Sequence, residues 1–325
     1  MIEYPERTVI RVILQYVTRA RKQKISLQSS DFRIRVPLGR PLRLRGSLAD
    51  QQLSEDEQML AQLILKLQMP FLKAPIFVTG CGHSGTSIMI RVLGSHSKIY
   101  AIQGETGTFL TGRWRLSDEL RIIRNVSKFN LSSFMHHKPR WVEKTPRHVL
   151  EIGKILGYLP TARIIVMIRD GRDVACSLKE RTGSIDGGVK RWLRDNGAAM
   201  PFFGHPQVRA VKYEEFAKSP EAVMRGVLDF LEEEFEPNIF ATDKTAWEPV
   251  HAAPDEHVCR RVQQLRKPIY DGSGRWRKEM TAQERALFKK MAQEMMVELG
   301  YDVNDSCGNR CAPTSLSVAT AGPRR

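Results

Sequence analysis

The chain has 325 residues, a formal net charge of +15 and 42% hydrophobic residues. That length suits one large α/β domain or two smaller ones, with enough apolar residues for a sizeable core, and the charge favours anionic partners without choosing among them. No stretch reaches the roughly 18 uncharged apolar residues of a membrane span, and no secretory signal is evident, so we expect a soluble, cytoplasmic protein.

The two ends of the chain differ from its middle. Residues 1–72 are a basic stretch that we predict to be an N-terminal appendage, and the polar, small residues 303–325 predict a disordered tail. Between them, residues 73–302 alternate short apolar strands with helical stretches. That alternation is typical of a mostly parallel sheet covered on both faces, so we predict a single three-layer α/β domain there.

Strands and helices are predicted in chain order from apolar runs, turn residues and helix caps. The predicted strands are Ile76–Thr79, Lys98–Ile102, Arg140–Glu143, Arg163–Ile168 and Val208–Tyr213. The predicted helices are Thr86–Gly94, Pro146–Gly157, Asp173–Arg181, Gly188–Met200, Pro220–Glu234 and Thr281–Leu299.

A loop of small residues, Gly80–Ser87 (GCGHSGTS), follows the first strand and leads into the first helix. It fits the phosphate-cradling pattern G-x-x-x-x-G-K-[ST] at every fixed position except one, where Thr86 replaces the lysine. Glycines let the backbone approach an anion, and the free N–H groups of a helix start point at it. Because nucleotide triphosphatases and kinases use that lysine on the β- and γ-phosphates, we expect an anion other than the end of a triphosphate.

A second segment joins an arginine to a hydroxyl. The strand Arg163–Ile168 is followed by Arg169, a turn at Asp170-Gly171, and a helix that carries Ser177 eight residues after the arginine. Open α/β sheets bind ligands at this edge, and a guanidinium suits phosphate because its fork donates two parallel hydrogen bonds. Taken alone, the segment leaves open a simple surface ion pair between Arg169 and Asp173.

The two segments together resemble the signatures of sulfotransferases that use 3′-phosphoadenosine-5′-phosphosulfate. The resemblance covers roughly 74–299 and implies a fold like that of the P-loop nucleotide triphosphatases. It further implies that Arg169 and Ser177 hold the 3′-phosphate of this nucleotide cosubstrate. The residues that would hold its 5′-phosphosulfate are Gly82, His83, Ser84, Gly85, Thr86 and Ser87.

Further segments are similar to the tyrosylprotein and bacterial branches of that family. By this resemblance Glu105 is the general base, and Lys144, in Lys-Thr-Pro, touches the transferring sulfuryl group. Tyr213 would lie near the adenine. A late basic and aromatic loop, with Arg275, Trp276 and Arg277, would close over the cosubstrate.

One position departs from the family pattern. His83 stands where the family usually has Lys or Arg, and a neutral imidazole donates one hydrogen bond but carries less fixed charge at pH 7. A protonated His83, or compensation by Lys144 and Arg277, is a hypothesis at this stage. His83 is therefore counted with Glu105 and Lys144 among the candidate catalytic residues.

The implied reaction is in-line transfer of a sulfuryl group to a hydroxyl or amine, with no metal required. The acceptor, a carbohydrate, peptide or small molecule, cannot be decoded from variable stretches such as 106–131. Two alternatives remain. A P-loop kinase for a small metabolite conflicts with Thr86, and a non-catalytic nucleic-acid-binding protein rests on the charge alone. We expect no nucleic-acid partner.

Overall fold

The computed structural model describes residues 72–110, 116–241, 247, 263 and 265–303. The predicted appendage, apart from Leu72, and the predicted tail, apart from Val303, lie outside the described residues. The predictions for these two ends therefore stay predictions.

The centre of the domain is a five-stranded sheet in which every pair of neighbouring strands is parallel. Its strand order is β2-β3-β1-β4-β5, so β1 lies in the middle and the chain crosses from one side of it to the other after β3. Such a crossing point opens a crevice at the carboxyl ends of the strands. The strands are β1 (Ile76–Gly80), β2 (Ile99–Ala101), β3 (Arg140–Lys144), β4 (Arg163–Ile168) and β5 (Val208–Lys212).

Helices cover both faces of this sheet. The helices are α1 (Thr86–Gly94), α2 (Leu116–Met135), α3 (Ile152–Tyr158), α4 (Gly171–Thr182), α5 (Ile185–Ala199), α6 (Tyr213–Lys218), α7 (Pro220–Leu231), α8 (Trp276–Glu279) and α9 (Ala282–Glu298). Within the described part of the chain, short 3-10 helices lie at Pro146–Glu151, Met200–Phe202 and Pro237–Phe240.

Alternate residues of each strand face two separate apolar layers. Phe77 and Ile164 contribute to one layer, with side chains from α2, α3, α4, α5 and α9, whereas Val78 and Ile165 contribute to the other, with α1 and α7. Because both faces of the strands are buried, their sequences read as continuous apolar runs. The predicted three-layer α/β fold is confirmed.

Several predicted boundaries move by a few residues. The helix predicted from Pro146 starts as a 3-10 helix, and the strand predicted to end at Tyr213 ends at Lys212, because Tyr213 begins α6. The predicted helix Gly188–Met200 starts three residues earlier, at Ile185. The prediction of Pro220–Glu234 is too long: α7 ends at Leu231, and Glu232 takes a left-handed conformation.

The largest difference from the predicted elements is α2, a helix of 20 residues where no helix is predicted from the sequence. Its first part lies in the variable stretch 106–131. Buried Ile122, Val126 and Phe129 recur at helical spacing and pack against the core. That spacing was the available signal, since it places the three side chains on one face of a helix.

Candidate active site

The loop after β1 has a backbone that glycine makes possible. Gly80 and Gly85 have φ values of 136° and 89°, and His83 also adopts a positive φ of 70°. A Cβ added at Gly80 would lie 2.3 Å from the carbonyl oxygen of Met167, on the neighbouring strand β4. The loop ends with Gly85 as the N-cap of α1, so the free N–H groups of that helix start face the crevice edge of the sheet.

A buried hydroxyl in this loop suits an anionic ligand. Ser84 is fully buried, and among the described residues its Oγ has no hydrogen-bond partner. A buried polar group without a partner is costly, whereas a hydroxyl can donate to a phosphate or sulfate oxygen. The loop therefore combines room for close approach, helix-start N–H groups and an available donor, which fits a phosphosulfate group.

The two sequence motifs are in direct contact. Arg169, the first residue after β4, donates from Nη1 to the carbonyl oxygen of His83 at 3.0 Å. On α4, Ser177 Oγ lies 2.8 Å from Nδ1 of the same histidine. Tyr213 also contacts Arg169, and its ring lies 2.7 Å from the position of a Cβ added at Gly85. These contacts join five predicted ligand residues into one group: His83, Gly85, Arg169, Ser177 and Tyr213.

Arg169 is held on several sides. Its guanidinium carbon lies 4.3 Å from the centre of the Tyr213 ring, and Nη2 donates to the carbonyl oxygen of Gly272 at 2.7 Å. Its Nε is buried and has no partner within the part of the chain that the structure describes. The side chain is therefore positioned before any ligand binds, and one donor remains for an anion.

Asp173 connects this group to the late segment of the chain. Its carboxylate is buried and accepts hydrogen bonds from the backbone N–H groups of Gly274 (2.8 Å) and Trp276 (3.0 Å), and it lies 3.7 Å from Arg169 Nη2. Burial raises the pKa of Asp173, although these hydrogen bonds and Arg169 oppose the change. The open alternative of a surface ion pair is wrong, because the carboxylate is buried and ties two distant segments together.

The late predicted residues lie at the edge of this group, and two of their side chains are engaged elsewhere. Trp276 is buried against Arg172, whose guanidinium carbon is 3.9 Å from the ring centre. Arg275 pairs with the carboxylates of Glu180 and Glu279. The guanidinium carbon of Arg277 also lies close to the Trp276 ring, 4.6 Å from its centre.

The two remaining candidates form an ion pair at the end of β3. Lys144 is fully buried, and its Nζ lies 2.6 Å from Oε1 of Glu105, whose side chain is 42% exposed. The ring centre of Trp247 lies 4.3 Å from the same Nζ. Since β3 is the neighbour of β1, this pair lies at the same edge of the sheet as the glycine loop. The roles of these candidates in catalysis and binding stay predictions.

Sequence reasoning missed the residues that support this pair. Glu143 is fully buried and accepts hydrogen bonds from Thr106 Oγ1 (2.8 Å) and Thr145 Oγ1 (2.6 Å), and it pairs with His148 Nδ1 at 3.0 Å. Burial raises the pKa of Glu143, but His148 and these hydrogen bonds outweigh it and hold the pKa below its ordinary range. Glu143 thereby fastens the loop that carries Glu105 to the end of β3.

Comparisons with known proteins agree with this geometry. A model described as "Sulfotransferase family" matches residues 114–237, a range that contains Lys144, Arg169, Ser177 and Tyr213. Protein-tyrosine sulfotransferase A of Caenorhabditis elegans is 24% identical over 273 residues, which cover 74% of this chain and 70% of the relative. A protein-tyrosine sulfotransferase of Drosophila melanogaster is 25% identical over 262 residues, covering 70% of this chain and 51% of the relative.

The chain is similar to proteins of the sulfotransferase family. The predicted resemblance to the sulfotransferase family is therefore confirmed. The fold agrees: the sulfotransferase domain of the Synechococcus PCC 7002 olefin synthase has a TM-score of 0.53 at 16% identity, covering 72% of this chain and 98% of that domain.

The chain matches only part of some relatives. An uncharacterised protein of Aquifex aeolicus (strain VF5) is 28% identical over 242 residues, and the match covers 63% of this chain but 31% of that protein. Of the described helices, none is both long and apolar enough to cross a lipid bilayer. The cytoplasmic location stays a prediction.

Proposed function

We propose that this chain transfers a sulfuryl group from 3′-phosphoadenosine-5′-phosphosulfate to a hydroxyl or amine of an acceptor. The observation that carries the proposal is the contact of His83, in the glycine loop, with both Arg169 and Ser177. His83 and Arg169 are 86 residues apart in the sequence. Their contact therefore brings two separate predicted anion-binding motifs together at one edge of the sheet. One ligand with an anionic group at each end fits that arrangement.

The chain's own residues divide between the two ends of such a nucleotide. The backbone N–H groups of Gly82–Ser87 and the Ser84 hydroxyl would hold the 5′ end. Arg169 and Ser177 would hold the 3′-phosphate, and the Tyr213 ring would lie near the adenine. The late residues Arg275–Arg277 would close over the nucleotide from the segment that Asp173 fastens.

When bound, the phosphosulfate supplies an activated sulfuryl group on a phosphate leaving group. Glu105 would accept the proton of the attacking hydroxyl or amine, an effect of about 10²–10⁴-fold on the rate. Lys144, buried beside Glu105, would keep its ammonium near the oxygens on which negative charge grows. Such preorganised donors contribute about 3–4 kcal/mol when water is excluded.

Two relatives indicate which acceptor to test first. Both are called protein-tyrosine sulfotransferases, so a tyrosine hydroxyl in a peptide is the first acceptor to test, followed by carbohydrates and small phenols. Glu105 is 42% exposed, which leaves its carboxylate accessible to an acceptor that approaches from solvent.

The rival activity, phosphoryl transfer from ATP, lacks its key cation in this loop. Thr86 stands where a P-loop kinase places the lysine that binds the β- and γ-phosphates. Calorimetry separates the two activities: we expect binding of 3′,5′-adenosine diphosphate without Mg²⁺ and no binding of ATP with Mg²⁺. Transfer of ³⁵S from labelled donor to pooled tyrosine peptides, carbohydrates and phenols then tests the chemistry. Binding of ATP alone, with no binding of 3′,5′-adenosine diphosphate, would overturn the proposal.

A further inference from the structure

An arginine outside both motifs reaches the glycine loop. Arg191 lies on α5, and its Nη2 is 2.8 Å from the position that a Cβ would take at Gly82. A side chain at position 82 would therefore displace this guanidinium. The glycine leaves room for a cation that comes from a helix more than 100 residues further along the chain.

The arginine is anchored to a buried carboxylate. Asp195, one helical turn later, is fully buried, and its Oδ2 lies 3.4 Å from Arg191 Nε. The other oxygen of Asp195 accepts from Nε and Nη2 of Arg194 at 2.9 and 2.7 Å. Cys81, in the loop itself, donates its thiol to the same carboxylate, and burial raises the pKa of that thiol. Asp195 thereby links α5 to the loop at Cys81, and Arg191 lies beside the next loop residue, Gly82.

The terminal nitrogens of Arg191 remain available. Among the described residues they have no hydrogen-bond partner, and the side chain is 30% exposed. Two guanidinium groups share one carboxylate here, so this part of the helix carries a net positive charge beside the loop. Since a planar guanidinium donates several hydrogen bonds in a fixed geometry, it is suited to a phosphate or sulfate oxygen.

The loop needs a cation from elsewhere. Residues 80–87 contain neither lysine nor arginine, and the Nδ1 of His83 is engaged with Ser177. From the loop itself, a 5′-phosphosulfate in this cradle would otherwise meet backbone N–H groups, hydroxyls and the His83 imidazole, none of which has the permanent charge of a guanidinium. Arg191 lies beside Gly82 and thus at the 5′ end of the proposed ligand site, whereas Arg169 serves the other end.

We propose that Arg191 binds the 5′-phosphate side of the nucleotide and supplies there a fixed positive charge, which the loop lacks because it contains neither lysine nor arginine. This inference rests on the proposed function, because it assigns a residue to one end of the same nucleotide. Arg191 would thus be a nucleotide-binding residue that lies outside both sequence motifs.

The test compares two nucleotides that differ at one end. Calorimetry would measure the Kd of 3′,5′-adenosine diphosphate and of 3′-adenosine monophosphate, which lacks the 5′-phosphate. For Arg191→Gln we expect a loss of about 10- to 100-fold in affinity for the first nucleotide, since hydrogen bonds to charged groups are lost. We expect a change of less than about twofold for the second. Arg194→Gln is the matched control, because it shares Asp195 but does not reach the loop, and we expect it to leave both affinities unchanged.

A second variant separates charge from folding. Gly82→Ala keeps Arg191 but places a methyl group where the flexible end of the Arg191 side chain lies. We expect an unchanged Tm and, as for Arg191→Gln, a weaker affinity for 3′,5′-adenosine diphosphate. The inference is overturned if Arg191→Gln binds that nucleotide as well as Arg194→Gln does, or if it weakens both nucleotides equally. A wild-type chain that binds neither nucleotide would instead overturn the proposed function, and with it the basis of this assignment.

Discussion

The nucleotide side and the acceptor side of the candidate site are built differently. Around Arg169, contacts come from β4, the glycine loop, α6 and the late segment, and its side chain is about nine-tenths buried. Around Glu105, the supports lie behind the residue, in the buried Glu143 network, while the carboxylate itself is 42% exposed. Among the described residues, Arg169 is thus contacted from four parts of the chain, whereas the supports described around Glu105 come from the end of β3 and the loop that carries Glu105 itself.

This difference matches what each region has to accommodate. A nucleotide of constant shape gains affinity from a preorganised pocket, because less ordering is required on binding. An acceptor needs an open approach to the base. We therefore expect substitutions on the two sides to separate into effects on nucleotide affinity and effects on turnover.

The largest effect is expected at the acceptor side. Glu105→Gln removes the proposed proton acceptor and keeps the shape of the side chain, so sulfuryl transfer should slow by about 10²–10⁴-fold. The Kd of 3′,5′-adenosine diphosphate should stay unchanged. Radiolabel transfer and calorimetry on the same preparation measure the two quantities. Near-normal turnover would assign the base to another residue.

On the nucleotide side, Arg169→Ala should weaken binding of 3′,5′-adenosine diphosphate by about 100-fold, because a hydrogen-bonded guanidinium is lost from a largely buried position. Arg163→Ala is the matched control, since it changes an arginine at the opposite end of the same strand, where it pairs with Glu232. We expect the control to bind normally in calorimetry. Equal affinities for the two variants would contradict the assignment of Arg169 to the 3′-phosphate.

Gly85→Ala tests how tightly the nucleotide side is packed. Gly85 has a φ of 89°, and the new methyl group would lie 2.7 Å from the Tyr213 ring. A left-handed conformation costs an alanine about 1–2 kcal/mol, which corresponds to a fall of about 2–8 °C in Tm. Gly157→Ala, in α3 with no atom within 4 Å of the added methyl, should not lower Tm. If both variants melt alike, the loop is less constrained than its geometry indicates.

Glu143→Gln tests the support behind the acceptor side through pH. The pKa of Glu143 lies below its ordinary value of 4.5, so the folded state binds this proton more weakly than the unfolded chain does. Its contribution to stability is complete above about pH 4.5 and is lost as the pH falls through the folded pKa. Thermal melts should therefore show a Tm deficit of a few degrees for Glu143→Gln at pH 7 that narrows in acid. A deficit that is constant with pH would contradict the argument.

The smallest effect is expected at Arg275. Its guanidinium already pairs with Glu180 and Glu279, so Arg275→Ala should change nucleotide affinity by less than about threefold. Arg277→Ala should weaken binding more, since among the described residues Arg277 has no carboxylate partner. The reverse order in calorimetry would mean that Arg275 leaves its carboxylates to bind the nucleotide.

The sequence allowed prediction of those parts of the site that are local in the chain. The glycine loop and the Arg169–Ser177 segment each carry their ligand groups within a few residues, so strand, turn and helix signals sufficed. Asp173, Glu143 and Arg191 could not be assigned in the same way, because their partners lie about 100 residues away or are defined only by burial. The helical spacing of Ile122, Val126 and Phe129 in α2 is also a local signal, although no helix was predicted from it.

The close approach of β1 and β4 at Gly80 bears on the distance between the glycine loop and Arg169. Since β1 and β4 come so close there that no side chain fits, the separation between the glycine loop and Arg169 is a property of main-chain geometry. Exchange of surrounding side chains during evolution would leave that distance intact. We therefore expect that, under the proposed function, the acceptor preference of such a scaffold can vary while the length of the bound nucleotide stays constant.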